Sequence, residues 1–359
     1  MRQHEIPFFR RLLTPAILIV AGVPAIFALG LAYVGGLFSP GRLTEATFMQ
    51  TLAKQDGVHP GFRRNHAKGV CVAGWFAGSG QAVSFSRAAV FARVRSRVIG
   101  RFNLAGGMPY QADAPDTIRG VGLDLFAPRG SEWRMALIDL PVFPAATPLA
   151  FNGLMLATTQ DAATHKPDPA KVAAFMTANP ETPAALAIIK ARPVTSGFAD
   201  DTFRSLNSFL FVNDDGKATP VRWALVPQQS MGAPGSGENY LFEDLIKALA
   251  HGPLTWKMVV TVGAAGDPIA DPTKPWPSSR KQIDAGTLTI DKAESEDGGG
   301  PCLGLTFDPT VLPSGIAVSD DPFPSARAAA YARSFTLRSG EHKPPSAITP
   351  AMVTVGEHP

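Results

Sequence analysis

The chain has 359 residues, of which 45% are apolar and 18% charged, enough for one large core or two modest ones. Its 33 basic and 30 acidic residues leave a formal net charge of only +3. This balance excludes the strongly basic surface that nucleic-acid-binding proteins use, so we expect no nucleic-acid partner.

The N-terminal residues predict a membrane anchor. Residues 12–38, LLTPAILIVAGVPAIFALGLAYVGGLF, carry no charge, and Arg10 and Arg11 precede them. The run is longer than the apolar core of a secretory signal and long enough to cross a bilayer. The two arginines place residues 1–11 in the cytoplasm and the rest of the chain in the periplasm or otherwise outside the cytoplasmic membrane. The alternative is a cleaved signal, cut for example after Ala32.

The region after the anchor begins with a predicted amphipathic helix, TEATFMQTLAKQ, and continues with predicted strands. Short apolar or alternating runs broken by Gly, Pro and Asp are typical of strands and turns. Such runs are GVCVAGWFAG, SRVIGRFNLAG, GVGLDLFAP, EWRMALIDLPVF, TWKMVVTVGAAG and GTLTIDKAE. In SFLFVNDDGKATPVRWALVPQ, the pair Asp215 and Gly216 predicts a hairpin. Because the strands follow one another without a helix after each, we expect an antiparallel sheet or closed barrel.

Three further helices are predicted among the strands and after them. The first is TPAALAIIKAR, and the second, ENYLFEDLIKALAHG, is expected to stop at Gly252. The third is SARAAAYARSFTLR, with Ser325 as its cap. Residues 340–359 are predicted to form an extended tail, which leaves one domain at residues 39–339.

The two cysteines, Cys71 and Cys302, do not make a disulfide framework, and their spacing fits no zinc site. Cys71 lies in a strand-like run, so we expect it as a buried small side chain. The seven histidines show no metal-ligand spacing. His66 differs from the others because it directly precedes a predicted strand, where it is either structural or catalytic.

Arg327 and Tyr331 are four positions apart in the alanine-rich segment SARAAAYARS. On a helix, this spacing places the guanidinium next to the phenol on one face. Such a pair is either ordinary surface decoration or a means of ionising the phenol.

Five segments, in chain order, resemble the haem catalase superfamily, most closely its catalase-related peroxidase branch. They are RRNHAKGV, GRFNLAGG, LPVFPAATPLAF, DPTKPWP and FDPTVLPSGIAVSDDPFPSARAAAYARS, and the resemblance runs from about His59 to Arg338. It implies an α+β fold with a large antiparallel β-barrel and packed helices, which would follow the transmembrane helix predicted from residues 12–38. It also implies haem b, with its iron, buried between barrel and helix.

The resemblance implies a role for each candidate site residue. Tyr331 matches the proximal ligand of the haem iron, and Arg327 would hold it as a phenolate. His66 matches the distal histidine, which transfers protons as a general acid and base. Asn103 stands where many catalases have a serine that orients this ring, and its amide is expected to serve the same purpose.

Other residues match positions that bind the haem itself. Arg63, Arg101 and Arg338 fall where the family places arginines on the haem propionates, which suits their forked donors. Phe151 matches an aromatic residue that packs against the macrocycle. Solvated surface arginines and core filling by the phenylalanine are the alternatives.

One position departs from the family pattern. Catalases carry an asparagine three residues before the proline of N-x-x-P-x-F, and this chain has Ile138 there, in IDLPVF. An aliphatic side chain cannot donate the hydrogen bond that helps to place hydrogen peroxide. We therefore expect weak catalase activity, unless a different register brings Asp139 into that position.

The function implied is a haem-dependent peroxidase, tethered to the membrane through residues 12–38. It would reduce hydrogen peroxide or organic hydroperoxides with a small electron donor. One alternative is a haem-binding or haem-sensing protein without turnover. Another is a lipid hydroperoxide isomerase of the same superfamily.

Overall fold

The computed structural model describes residues 15–34, 43–230 and 232–354, within which ten strands and eight α-helices are found. The helices are α1 (Pro15–Val34), α2 (Glu45–Asp56), α3 (Pro148–Thr158), α4 (Pro169–Ala178), α5 (Glu181–Lys190), α6 (Tyr240–His251), α7 (Phe323–Ser339) and α8 (Pro350–Thr354). The strands are β1 (Gly69–Gly78), β2 (Arg95–Leu104), β3 (Arg119–Ala127), β4 (Ser131–Ile138), β5 (Phe203–Arg204), β6 (Phe209–Val212), β7 (Ala218–Pro227), β8 (Leu254–Val262), β9 (Gln282–Glu294) and β10 (Ile316–Val318).

The strands form an antiparallel sheet that closes into a barrel. Its order is β10-β6-β7-β5-β4-β3-β2-β1-β9-β8, and β8 also pairs with β7. Eight strands therefore complete the ring, while β6 and β10 extend the sheet beyond β7. The predicted β-barrel with packed helices is confirmed, and so is the hairpin at Gly216 between β6 and β7, where φ is 79°.

The main core is built from the barrel strands and α6. Alternating burial along β4 and β8 gives each strand one fully buried face. Large rings meet there, with Phe102 and Trp256 at 5.7 Å and Trp133 and Trp223 at 5.2 Å between centroids. These aromatic side chains fill the interior of the barrel. A ligand-binding site is therefore expected beside the barrel and not inside it.

The space beside the barrel is bounded by three helices, of which α2 packs on both α3 and α7. Helices α2, α3 and α7 share a smaller apolar cluster. Its members are Phe48, Met49, Leu52, Phe151, Met155, Ala330 and Leu337. Because these helices lie side by side, residues distant in the sequence face a common cavity.

The predicted membrane anchor at residues 12–38 is not supported. Its middle forms helix α1, but none of the helices that the structure describes is long and apolar enough to cross a membrane. Residues 1–11, 12–14 and 35–38 lie outside the described part of the chain, so the predicted cytoplasmic tail does too.

Two predictions near the C-terminus are wrong in detail. Helix α7 begins at Phe323, whose amide donates to Oδ1 of Asp321, and Ser325 lies inside the first turn instead of capping it. The tail after residue 339 is not fully extended, because Pro350–Thr354 form helix α8 and Val353 is buried. Pro324 favours the early helix start because its fixed φ suits a first turn.

The prediction for the cysteines is also corrected. Cys71 in β1 and Cys302 after β9 form a disulfide, whereas the sequence analysis favoured a buried small side chain and did not predict that the two are joined. They are 231 residues apart and both fully buried. Strands β1 and β9 pair directly, so the segment after β9 lies against β1, a proximity that spacing along the chain does not reveal.

Candidate active site

One cavity of about 570 Å³ lies between the barrel wall and helices α2, α3 and α7. All eight candidate site residues line it, although the sequence distributes them over 276 positions, from residue 63 to residue 338. They are Arg63, His66, Arg101, Asn103, Phe151, Arg327, Tyr331 and Arg338. The rest of the lining is mainly apolar.

Helix α7 places Arg327 and Tyr331 on the same wall of the cavity. The guanidinium donates to the Tyr331 hydroxyl from Nη2 at 3.1 Å and from Nε at 3.4 Å. Nη2 also donates to the carbonyl of Ala136 at 2.9 Å, which ties the helix to β4. The phenol oxygen therefore faces a fixed positive charge.

Two residues that the sequence analysis missed fix the orientation of this guanidinium. Asn207 accepts a hydrogen bond from Nη1 of Arg327 at 2.7 Å and donates to Oδ2 of Asp321 at 3.1 Å. Asp321 also accepts from the amide of Phe323 at the start of α7. A continuous series of hydrogen bonds therefore runs from Tyr331 through Arg327 and Asn207 to Asp321. Asp321 lies six residues before Arg327 in the segment already singled out, but Asn207 is 120 residues away.

His66 lies in the loop before β1 with φ of 58°, a left-handed conformation that is uncommon for residues other than glycine. Nδ1 is buried and has no hydrogen-bond partner among the described residues. Burial lowers the pKa of His66 to about 4, and the charges of Arg101 and Arg327 act in the same direction. The imidazole is therefore neutral at physiological pH and ready to accept a proton.

Asn103 lies on β2 beside this ring. Its amide nitrogen donates to the carbonyl of Arg101 at 3.1 Å, and its interaction with His66 partly opposes the lowering of the His66 pKa. Gly120 on β3 leaves space for it, since a Cβ there would lie 2.8 Å from the Asn103 oxygen. The orienting role of Asn103 stays a prediction, because its amide nitrogen donates to Arg101.

The three remaining arginines form a cluster around one buried carboxylate, that of Glu296. Arg101 contacts both Glu296 oxygens at 3.0 and 3.1 Å, and Arg63 approaches at 3.9 Å. Arg63 and Arg338 also donate to backbone carbonyls of residues 302–305. Burial alone would raise the pKa of Glu296, but Arg101 and Arg63 hold it below its ordinary value. Sequence reasoning missed Glu296 because it lies in the Gly-rich loop ESEDGGGP.

Strand β4 ends at Ile138, which lines the cavity, whereas the next residue, Asp139, does not line it. The Asp139 carboxylate accepts from the backbone amide of Arg119 at 3.1 Å and lies 3.9 Å from the guanidiniums of Arg119 and Arg192. Asp139 therefore does not take the place of the missing asparagine.

Phe151 reaches the cavity from α3, a helix that we did not predict. Its ring packs against Phe143 at 4.8 Å and Phe48 at 6.1 Å. The sequence does carry a signal for this helix, since Thr147 precedes a proline and its hydroxyl accepts from the amide of Ala150. Helix α4, also unpredicted, starts in the same way at Asp168.

Comparisons by family model, by sequence and by structure all match this chain to catalases or catalase-related peroxidases. The family model described as Catalase matches residues 35–345. A catalase-related peroxidase of Synechococcus elongatus is 35% identical over 90% of this chain and 96% of its own length. A catalase-related peroxidase of Mycolicibacterium paratuberculosis is 28% identical over 84% of this chain and 96% of its own length. A fungal catalase structure has a TM-score of 0.68 at 19% identity, over 78% of this chain and 59% of that one, a likeness of fold.

Proposed function

The chain belongs to the catalase family, and on this premise we propose that it is a haem-dependent peroxidase. It reduces hydrogen peroxide or organic hydroperoxides with electrons from a small donor. The observation that carries the proposal is the convergence of the Arg327–Tyr331 pair and a neutral His66 on one cavity.

The residues that line the cavity suit haem b. Three guanidiniums share one carboxylate, which leaves two positive charges for a ligand with two carboxylates of its own. Buried polar atoms point to the same conclusion, because Nε of Arg63 and Nδ1 of His66 are without a hydrogen-bond partner among the described residues. Tyr331 would ligate the iron, and Phe151 would contact the ring.

When bound, haem supplies the iron centre that exchanges electrons with the peroxide. His66 contributes the proton transfers. Its neutral ring would accept the proton of one peroxide oxygen and return it to the other, which would leave as water or an alcohol. Asn103 orients the ring, and Arg327 donates hydrogen bonds to the Tyr331 oxygen that would bind the iron.

Ile138 favours peroxidase over catalase turnover. It lines the cavity but carries no hydrogen-bond donor, so a second hydrogen peroxide molecule lacks one of the contacts that would place it. Electrons from a small donor do not require this contact. We propose that release of oxygen from peroxide alone is weak.

We also propose that the enzyme works outside the cytoplasm. The support is the Cys71–Cys302 disulfide, since such bonds persist mainly in oxidising compartments. A fusion of the full chain to a reporter that is active only in the periplasm would give signal if this is correct and none if the domain stays in the cytoplasm.

The proposed function is tested on the purified full-length protein loaded with haem. Peroxide consumption should depend on an added dye reductant, with little oxygen released in its absence. His66→Ala should keep haem but lose turnover. Unchanged peroxide reactivity in His66→Ala would instead indicate a haem-binding protein. Conversion of a fatty-acid hydroperoxide without any reductant would indicate an isomerase.

A further inference from the structure

The Arg101 guanidinium is almost fully occupied by protein groups. Nε and Nη2 donate to the two oxygens of Glu296, at 3.0 and 3.1 Å. Nη1 donates to the carbonyl of His66 at 2.7 Å, and Nη2 donates to the carbonyl of Ala67 at 2.9 Å. The arginine is only 1% exposed and has five N–H groups, of which four are used here. One donor remains for any ligand in the cavity.

The carbonyls that Arg101 binds belong to the segment that holds the catalytic imidazole. His66 has a left-handed backbone, which persists only when surrounding contacts enforce it. Its amide donates to Oδ1 of Asn65 at 2.9 Å, and the same oxygen accepts from the amide of Gly106. Arg101 donates to the carbonyl of His66, so both the backbone amide and the backbone carbonyl of His66 are bound by side chains.

The fold makes room for the Arg101 guanidinium and holds Glu296 beside it. Gly69 on β1 lies against the guanidinium, because a Cβ there would be 2.4 Å from Cζ of Arg101. Glu296 is 4% exposed and precedes Cys302, which the disulfide joins to β1. The carboxylate is therefore held in place by a loop tied to the same strand.

We propose that Arg101 and Glu296 are positioning residues that hold the backbone of His66, and that Arg101 is not chiefly a ligand of the haem carboxylates. Glu296 binds the Nε–Nη2 edge of the guanidinium, and the Nη1–Nη2 edge donates to the carbonyls of residues 66 and 67. Because of this, the imidazole keeps one position in the cavity. The inference rests on the proposed function, since it takes His66 as the proton-transfer group.

The proposal predicts that loss of the Arg101–Glu296 pair lowers the peroxide rate without weakening haem retention. If Arg101 were chiefly a ligand of the haem carboxylates, haem retention would fall as well. In haem-loaded Glu296→Gln, the rate of reaction with peroxide per bound haem should fall about 10- to 100-fold, as expected when a reacting group is displaced by about 1 Å. Transfer of haem to excess apomyoglobin should stay within about twofold of the parent, since Arg63 and Arg338 are retained. Arg101→Lys keeps the charge but not the fork, so it should show the same pattern.

A second measurement does not depend on catalysis. Hydrogen exchange in the haem-loaded protein should be faster for the amides of His66 and Ala67 in Glu296→Gln than in the parent. Asp267→Asn is the matched control, because it breaks a bidentate pair with Arg280 that does not line the cavity. It should leave both the peroxide rate and the exchange of these amides unchanged.

Faster haem loss in Glu296→Gln or Arg101→Lys, with an unchanged peroxide rate, would overturn the proposal and make Arg101 a haem ligand. Unchanged amide exchange would also overturn it. If Glu296→Gln fails to fold, Arg101→Lys decides alone. If His66→Ala reacts like the parent, the proposed function fails, while amide exchange still tests the contact between Arg101 and His66.

Discussion

Arg327 donates two hydrogen bonds to the hydroxyl of Tyr331 one helical turn later, at 3.1 and 3.4 Å. The remaining contacts of the guanidinium lie on other elements, at Asn207 and the carbonyl of Ala136. The pair is therefore a fixed part of the cavity wall, unlike a surface pair that solvent can rearrange.

Replacing Arg327 by Leu should weaken haem iron binding and peroxidase activity by about 10- to 100-fold, the usual effect of removing a group that supports a metal ligand. Without the guanidinium, the Tyr331 oxygen loses the two hydrogen bonds that Arg327 donates to it. Haem titration and dye oxidation would measure the loss. Arg333→Leu is the control, since Arg333 is exposed on the same helix. Equal behaviour of the two variants would contradict the assigned role.

Replacing Ile138 by Asn should raise oxygen release from hydrogen peroxide about tenfold, which corresponds to one added hydrogen bond of roughly 1.4 kcal/mol. Ile138 lines the cavity, so the new amide can reach a bound peroxide. An oxygen electrode measures the rate. Ile138→Leu adds no donor and should give no increase. If Ile138→Asn and Ile138→Leu release oxygen equally slowly, another feature limits catalase turnover.

The peroxide reaction should keep its rate from about pH 8 to about pH 5 and decline near pH 4. His66 must be neutral to accept a proton, and burial lowers its pKa to about 4. As pH falls through this value, the ring becomes protonated and the base is lost. Stopped-flow rates across this range test the prediction. A decline centred near pH 6.5, the pKa of a free histidine, would contradict it.

Removing the disulfide should lower the free energy of unfolding by about 2–4 kcal/mol, because cross-links restrict the unfolded chain. The Cys71→Ser/Cys302→Ser double variant and the parent in reductant should unfold at the same urea concentration. Both should unfold at lower urea than the oxidised parent. A parent that is insensitive to reductant would show that the bond contributes nothing.

Much of the fold could be predicted because its signals are local. Alternation and turn residues located the barrel strands, with β1 matching its predicted range, and Gly252 stops α6 as expected. Helices α3 and α4 were missed because their apolar residues do not follow a clear helical period. Their starts were nevertheless marked by Thr147 and Asp168, each followed by proline.

The sequence by itself determined the pairing of Arg327 with Tyr331, since the 3.6-residue period of a helix brings positions four apart together. It also placed Ile138 and Asp139 side by side in a strand-like run, where neighbouring side chains point to opposite faces. Only the tertiary structure decided which of them faces the cavity. It likewise decided that Glu296 binds Arg101, that Asn207 binds Arg327 and that the cysteines are joined. These contacts link residues 120 to 231 positions apart, and the packing of strands, loops and helix α7 creates them, so no local pattern contains them.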